Sequence, residues 1–139
     1  MRLGIVASRF NETVSKKLLE RARAAADKLG IKDCTVVTVP GALEIPLTLQ
    51  WMAQSGRFDA LAAIGCVIRG DTYHFEIVCN ESARGLMDVA LEYGIPVANG
   101  ILTTNDEAQA LARLDKAAEV IRVALEMSAL RSKLAEPRQ

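Results

Sequence analysis

Aromatic side chains are scarce in this chain, at 4% of residues, although half of the residues are hydrophobic. The core must therefore be assembled from Ala, Val, Leu and Ile rather than from stacked rings. Cysteine is sparse as well. Cys34, Cys66 and Cys79 are odd in number, scattered and without CxxC spacing. They offer neither a disulfide framework nor a zinc site, and read as small hydrophobes in a reducing cytoplasm. An excess of one charge is missing too, since 17 basic residues balance 17 acidic ones. Without a basic patch, nucleic acid is not an expected partner. No apolar run approaches membrane-spanning length. The start Met1-Arg2-Leu3-Gly4-Ile5-Val6 is too short for the apolar region of a signal peptide and leads directly into a strand. The expected setting is the cytoplasm, with no membrane partner.

What is present is an alternation of short apolar runs and helical patterns. Its length and lack of linkers, repeats or low-complexity stretches predict one domain spanning residues 1–139. Strands are expected over Leu3–Ala7, Thr35–Val39, Ala60–Val67 and Pro96–Leu102. The first helix is expected from Glu12 to Leu29, with Val14, Leu18, Ala22, Ala25 and Leu29 inward and Gly30 ending it. Pro40-Gly41 turns the chain into a second helix, Ala42–Gln54. Pro46 is tolerable there only in the first turn, which fixes the start near Glu44. A third helix follows His74 and ends at Gly94, with Phe75, Cys79, Ala83, Met87 and Ala90 on its apolar face. Thr103-Thr104-Asn105-Asp106 offers capping chemistry for a final helix, Glu107–Leu130. The tail after Leu130 is polar and expected to fray. Such alternation predicts a three-layer α/β/α sandwich around a four-stranded parallel sheet. Ligands bind outside the C-terminal ends of the strands in such sheets.

The chain's single histidine, His74, sits where the third strand hands over to its helix, after the turn Gly70-Asp71-Thr72. Free backbone N–H groups at such a turn form a natural anion site. Imidazole gives and takes protons near neutral pH. An anion cradle beside a proton shuttle points to an enzyme acting on a phosphorylated substrate. A plainer reading stands beside it, with Asp71 or Thr72 as a simple N-cap and His74 as a first-turn residue without a task.

Four loop motifs carry a more specific signal: Ser8-Arg9-Phe10-Asn11, Val39 through Pro46, Gly65 through Glu76 with its Ile-Arg-Gly-x-Thr-x-His-Phe pattern, and Pro96 through Thr104. In this order and at these separations they resemble the 6,7-dimethyl-8-ribityllumazine synthase family nearly end to end. The resemblance implies a flavodoxin-like fold and a transferase of riboflavin biosynthesis. It would join 5-amino-6-ribitylamino-2,4(1H,3H)-pyrimidinedione to 3,4-dihydroxy-2-butanone 4-phosphate, releasing phosphate and water. It implies no metal and no redox cofactor. It further implies a homo-oligomer, a pentamer with active sites shared between subunits, and riboflavin synthase as a candidate partner.

Residue by residue, the resemblance makes His74 the proton-transfer group. It places Phe10, Ala42, Leu43, Glu44, Val67, Ile68 and Asn99 around the pyrimidine and ribityl chain. Gly70, Asp71, Thr72 and Arg113 are placed around the phosphate, with Arg113 arriving from a neighbouring subunit. Simpler roles remain open at this stage: Phe10 as a plug at the core edge, Glu44 as a helix-start carboxylate, and Arg113 as a solvated helix arginine. Asn99 departs from the family, which often has an aromatic there. The segment Arg113–Glu119 looks shorter than the usual Gly- and Lys-rich bend, leaving Lys116 as the nearest candidate for a second lysine near the substrate. The N-terminal arm usual in the family is also missing. Two other classes compete. A non-catalytic lumazine- or flavin-binding protein would need the aromatic platform but not His74 with a cradle. An FMN electron carrier would want a Ser/Thr/Gly-rich loop where Ser8-Arg9-Phe10-Asn11 stands.

Overall fold

The computed structural model describes residues 1–137. Its strands are β1 (Arg2–Ser8), β2 (Asp33–Val39), β3 (Ala60–Ile68) and β4 (Val97–Thr104). All pair in parallel, in the order β2-β1-β3-β4. The helices are α1 (Glu12–Lys28), α2 (Ile45–Gln54), α3 (His74–Tyr93), α4 (Glu107–Leu111) and α5 (Lys116–Leu134), with a short 3-10 turn over Ala42–Glu44 before α2. None of the described helices is long and apolar enough to cross a membrane.

Side chains alternate across the sheet with the period of a strand. Leu3, Ile5, Ala62 and Ile64 pack on one face against Leu18 and Ala22 of α1 and Ile121 and Ala124 of α5. Val6, Leu61, Ala63 and Val67 pack on the other against Ile45 and Leu49 of α2 and Leu86 and Val89 of α3. This is the expected three-layer sandwich. The central β3 is buried along nearly its whole length, which is why it reads in sequence as a continuous apolar run. The α2–α3 contact needs a glycine: a Cβ on Gly85 would stand 2.6 Å from the Cβ and Cγ of Pro46.

Several expectations need correction. The final helix is two helices, α4 and α5, separated by a bend at residues 112–115. Tight i→i−3 bonds make that bend, from Arg113 N–H to Ala110 O (3.0 Å) and from Lys116 N–H to Arg113 O (3.0 Å). Ala110 and Ala117 are both fully buried, so the apolar period runs through the break and conceals it. The inward face of α3 is set by Ser82, Leu86 and Val89, leaving Met87 at 59% exposure. Leu29 caps α1 from outside the core rather than packing in it. The tail does not fray at Leu130, since α5 continues to Leu134 with Arg131 and Lys133 in its last turn, where they suit the helix dipole. Arg138 and Gln139 lie outside the described residues. Elsewhere the expected signals hold. Pro46 lies in the first turn of α2, Asp106 caps α4 by accepting from Gln109 N–H (2.8 Å), and Gly30 and Gly94 take positive φ.

The order β2-β1-β3-β4 fixes where a ligand can go. The chain leaves β1 toward β2 on one side and leaves β3 toward β4 on the other, so the loops after β1 and β3 diverge. That divergence opens a crevice at the C-terminal ends of the two central strands, the switch point of the sheet.

Candidate active site

The crevice is built from three chain segments locked to one another. After β1, Asn11 adopts the left-handed region (φ 57°), which its short polar side chain tolerates. Its Nδ2 donates to Cys66 O at the end of β3 (2.9 Å). Arg9 N–H donates to Val39 O (2.9 Å) and Phe10 N–H to Pro40 O (3.0 Å), tying the same loop to the end of β2. These bonds leave the Phe10 ring 71% exposed over the crevice, so it does not plug the core edge.

The second segment is the turn into α2. Gly41 N–H donates to Glu44 Oε1 (2.9 Å), while Glu44 N–H donates to Gly41 O (3.2 Å). Glu44 thus does serve the helix start, as the simpler reading held, yet its carboxylate remains exposed at the mouth of the crevice.

The third segment runs from Ile68 into α3. Its first helical bonds are accepted by Tyr73 O, from Glu76 N–H (3.1 Å) and Ile77 N–H (3.3 Å). Thr72 Oγ1 accepts weakly from His74 N–H (3.4 Å). Asp71 does not cap the helix: the capping position is Tyr73, with no side-chain cap bond. Among the described residues, the amides of Gly70, Asp71 and Thr72 donate to no protein acceptor. Arg69 closes the segment from outside, through Asn105 Oδ1 (2.8 Å), Glu76 Oε1 (2.6 Å) and the Phe75 ring, whose centroid lies 4.4 Å from the guanidinium carbon.

Together the segments enclose a cleft of about 350 Å³. Of the residues expected at the site, Phe10, Ala42, Leu43, Glu44, Val67, Ile68, Gly70, Thr72 and His74 line it. Three do not. Asp71 is exposed and outside the lining. Asn99 lies on the edge strand β4, its Oδ1 accepting from Ile101 N–H (3.0 Å). Arg113 lies in an open hollow along β4 with Thr103, Thr104, Lys116 and Glu119. Its guanidinium donates to Gln109 O (2.8 Å), and Lys116 pairs with Glu119 (3.3 Å). Sequence reasoning missed Cys66, Phe75 and Val78 in the cleft wall. The spacing of Phe75 and Val78, one helical turn apart on the first turns of α3, was the signal available for two of them.

Electrostatics narrows the roles. Burial, and then the charge of Glu107, push the Cys66 thiol up to about 11, so it contributes bulk and not a thiolate near neutral pH. Glu76 is held below the usual glutamate range by its own backbone amide and by the Arg69 hydrogen bond, which keeps it an anion paired with Arg69.

Comparison with known proteins agrees with the architecture. Residues 1–132 match the family described as 6,7-dimethyl-8-ribityllumazine synthase. The chain is 60% identical over 131 residues to the 6,7-dimethyl-8-ribityllumazine synthase of Nitrosomonas europaea, an alignment covering 92% of this chain and 80% of that one. It is 55% identical over 133 residues to that of Cupriavidus pinatubonensis, covering 94% and 80%. With Paraburkholderia phymatum the identity is 53% over 133 residues, covering 94% and 77%. The chain belongs to the 6,7-dimethyl-8-ribityllumazine synthase family.

Proposed function

We infer that the chain catalyses the condensation of 5-amino-6-ribitylamino-2,4(1H,3H)-pyrimidinedione with 3,4-dihydroxy-2-butanone 4-phosphate to 6,7-dimethyl-8-ribityllumazine. The observation that carries this is one cleft holding an exposed aromatic, a turn with an exposed carboxylate, and unpartnered amides beside the only histidine. Phe10 offers a face to the flat pyrimidine. Glu44 accepts hydroxyl hydrogen bonds from the ribityl chain, and Val67 and Ile68 present backbone groups to the ring edge. The phosphate sits against the amides of Gly70, Asp71 and Thr72, where donors aimed at its oxygens stabilise it as it leaves. The Asp71 side chain is exposed and outside the cleft lining. The amine attacks the ketone and water leaves to give an imine. Phosphate is eliminated, the resulting enol tautomerises, and the ring closes with loss of a second water. Each step moves a proton, and His74 at the edge of the cradle supplies and accepts it.

Assembly belongs to the same reading. The cleft has no lysine or arginine of its own in the lining, while Arg113 stands apart along β4. Bidentate guanidinium binding suits a phosphate. A homo-oligomer in which Arg113 reaches a neighbour's Gly70–His74 loop completes the site, with Asn99 and Lys116 approaching from the same edge. Apolar surface supports assembly. A hollow of about 420 Å³ between α3, β4 and α5 is lined by Leu91, Val97, Met127, Leu130 and Leu134, and Trp51 of α2 is 60% exposed. Head-to-tail contacts between identical subunits either close into a ring by rotation or polymerise, and a closed cytoplasmic pentamer is the form we favour. Riboflavin synthase, which would take the product, is the candidate partner.

Purified chain given both substrates should produce the lumazine chromophore and release phosphate in parallel. Tight pyrimidine binding without phosphate release would instead support a non-catalytic binder. An active monomer in light scattering would remove the shared-site arrangement alone.

A further inference from the structure

Arg69, at the start of the cradle loop, bonds both to the loop between β4 and α4 and to the first turn of α3, and the reaction as derived gives it no task. Its backbone N–H donates to Thr104 O (2.8 Å), the last residue of β4, and its Nε to Asn105 Oδ1 (2.8 Å), in the loop between β4 and α4. Its Nη1 reaches Glu76 Oε1 (2.6 Å) in the first turn of α3, and its guanidinium lies over Phe75, part of the cleft wall. The network continues beyond it. Asn105 N–H donates to Gln109 Oε1 (2.8 Å), and Gln109 O accepts from Arg113 (2.8 Å).

A planar guanidinium suits this place. It sends donors to a loop and to a helix start in fixed directions while its face covers a ring, which an ammonium cannot do. One exposed ion pair would matter little, and the Arg69 side chain is 48% exposed. What distinguishes it is that its contacts bracket the segment carrying Gly70, Thr72 and His74, with Thr104 and Asn105 on one side and Phe75 and Glu76 at the start of α3 on the other. That segment has no side-chain helix cap and few internal bonds of its own.

We propose that Arg69 is a positioning residue for the phosphate half of the site, clamping the Ile68–His74 loop to the β4–α4 loop and fixing Phe75 at the cleft wall. The word "phosphate" here rests on the proposed function; the clamp itself does not. Because the β4–α4 loop also leads to Arg113, one side chain registers the cradle of a subunit against the arginine that the same subunit offers its neighbour.

The test uses the full chain with Arg69→Met, Arg69→Lys and Asn105→Ala, and with Arg2→Met as control. Arg2 makes a comparable set of bonds, to Asp59 and Gly56, at the opposite end of the sheet. Hydrogen exchange reads the clamp without any assumption about activity. In Arg69→Met the hydrogen-bonded amides of His74, Glu76 and Ile77 in one segment and of Asn105 and Gln109 in the other should exchange faster, and in Arg2→Met neither set should. Steady-state kinetics read the consequence. Arg69→Met should raise KM for the phosphorylated ketone about tenfold or more and weaken competition by inorganic phosphate to match. KM for the pyrimidine should stay within about twofold. Arg69→Lys should restore only part of the loss, and Asn105→Ala should show the same pattern more weakly, which also covers poor folding of the Arg69 variants. Unchanged exchange in both segments, or equal rises in both KM values, would overturn the proposal. A wild type that forms no lumazine and binds no phosphate would sink the proposed function, leaving the clamp to be decided by exchange.

Discussion

The two ends of the sheet use the same chemistry to opposite effect. At the N-terminal ends of the strands, Arg2 grips Asp59 through its backbone N–H (2.7 Å) and Nη2 (3.1 Å), while Asp59 N–H donates back to Arg2 O (2.8 Å). Donors and acceptors there satisfy each other. At the C-terminal ends, Arg69 grips Glu76 (2.6 Å), but the amides of 70–72 next to it stay unpartnered and Phe10 stays exposed. An arginine–carboxylate pair is therefore no mark of function by itself. What separates the ends is the set of groups left unsatisfied around it, and polar groups left open near a cleft are available to a ligand.

The largest test of that contrast is His74→Ala. If the open end performs the chemistry, turnover should fall by on the order of 10²–10⁴, toward the lower end because the substrates are intrinsically reactive. Pyrimidine affinity, which the proposed function assigns to Phe10 and the Gly41–Glu44 turn, should change far less. Steady-state turnover together with equilibrium binding separates the two. Unchanged turnover in a folded variant would return His74 to a structural role.

Next in size is Arg113→Ala. Loss of a charge-assisted hydrogen bond costs about 1.5–3 kcal/mol, or about one to two decades in affinity. It should fall on the phosphorylated ketone and not on the pyrimidine. Mixing this variant with His74→Ala sharpens the case for shared sites. Each parent is defective, yet mixed rings would contain some sites with an intact histidine facing an intact arginine. Activity above the sum of the parents is the expected outcome.

How far these ends were legible in sequence follows from where the information lies. The β3 run, the Gly70 break and the Pro46 position are local, and they held. Strand order is not local, because no pattern within a strand says which neighbour it takes. The crevice could therefore be assigned to the strand ends but not to the gap between β1 and β3. The bend at 112–115 was hidden because Ala110 and Ala117 keep the apolar period across it. The inward face of α3 was misread because Ser82, a polar residue, is buried there while Met87 is exposed. Arg69 stood in plain view inside a recognised motif, but its partner Asn105 is 36 residues away.

A smaller effect should come from Gly85→Ala, which joins the two ends through packing. The new methyl would meet Pro46, a rigid ring at the start of α2, at 2.6 Å. Overpacking of this kind costs about 1–3 kcal/mol. Because α2 begins at the Gly41–Glu44 turn and α3 begins at His74, forcing them apart should widen the cleft as well as lower Tm. Thermal unfolding and pyrimidine affinity should therefore move together, and a fall in Tm alone would show that the helices yield elsewhere.

The smallest effect lies in acid, and it divides the two arginine pairs most finely. Asp59 is held below the usual aspartate range chiefly by the Arg2 side-chain hydrogen bond, and Glu76 below the glutamate range by its own amide and then by Arg69. A carboxylate whose pKa is lowered on folding contributes stability above its unfolded value, and that contribution disappears as pH falls through the folded value. Both groups are solvent-accessible, so each contribution is small. Asp59→Asn and Glu76→Gln should each lower Tm slightly at neutral pH, and each difference from wild type should close as the pH falls through the carboxylate range. Function should divide them. At neutral pH Glu76→Gln should raise KM for the phosphorylated ketone, because it loosens the Arg69 clamp. Asp59→Asn should leave both KM values alone, because nothing at that end of the sheet reaches the substrate. If the two variants had the same KM values at neutral pH, the difference between a satisfied end and an open end would have no catalytic meaning.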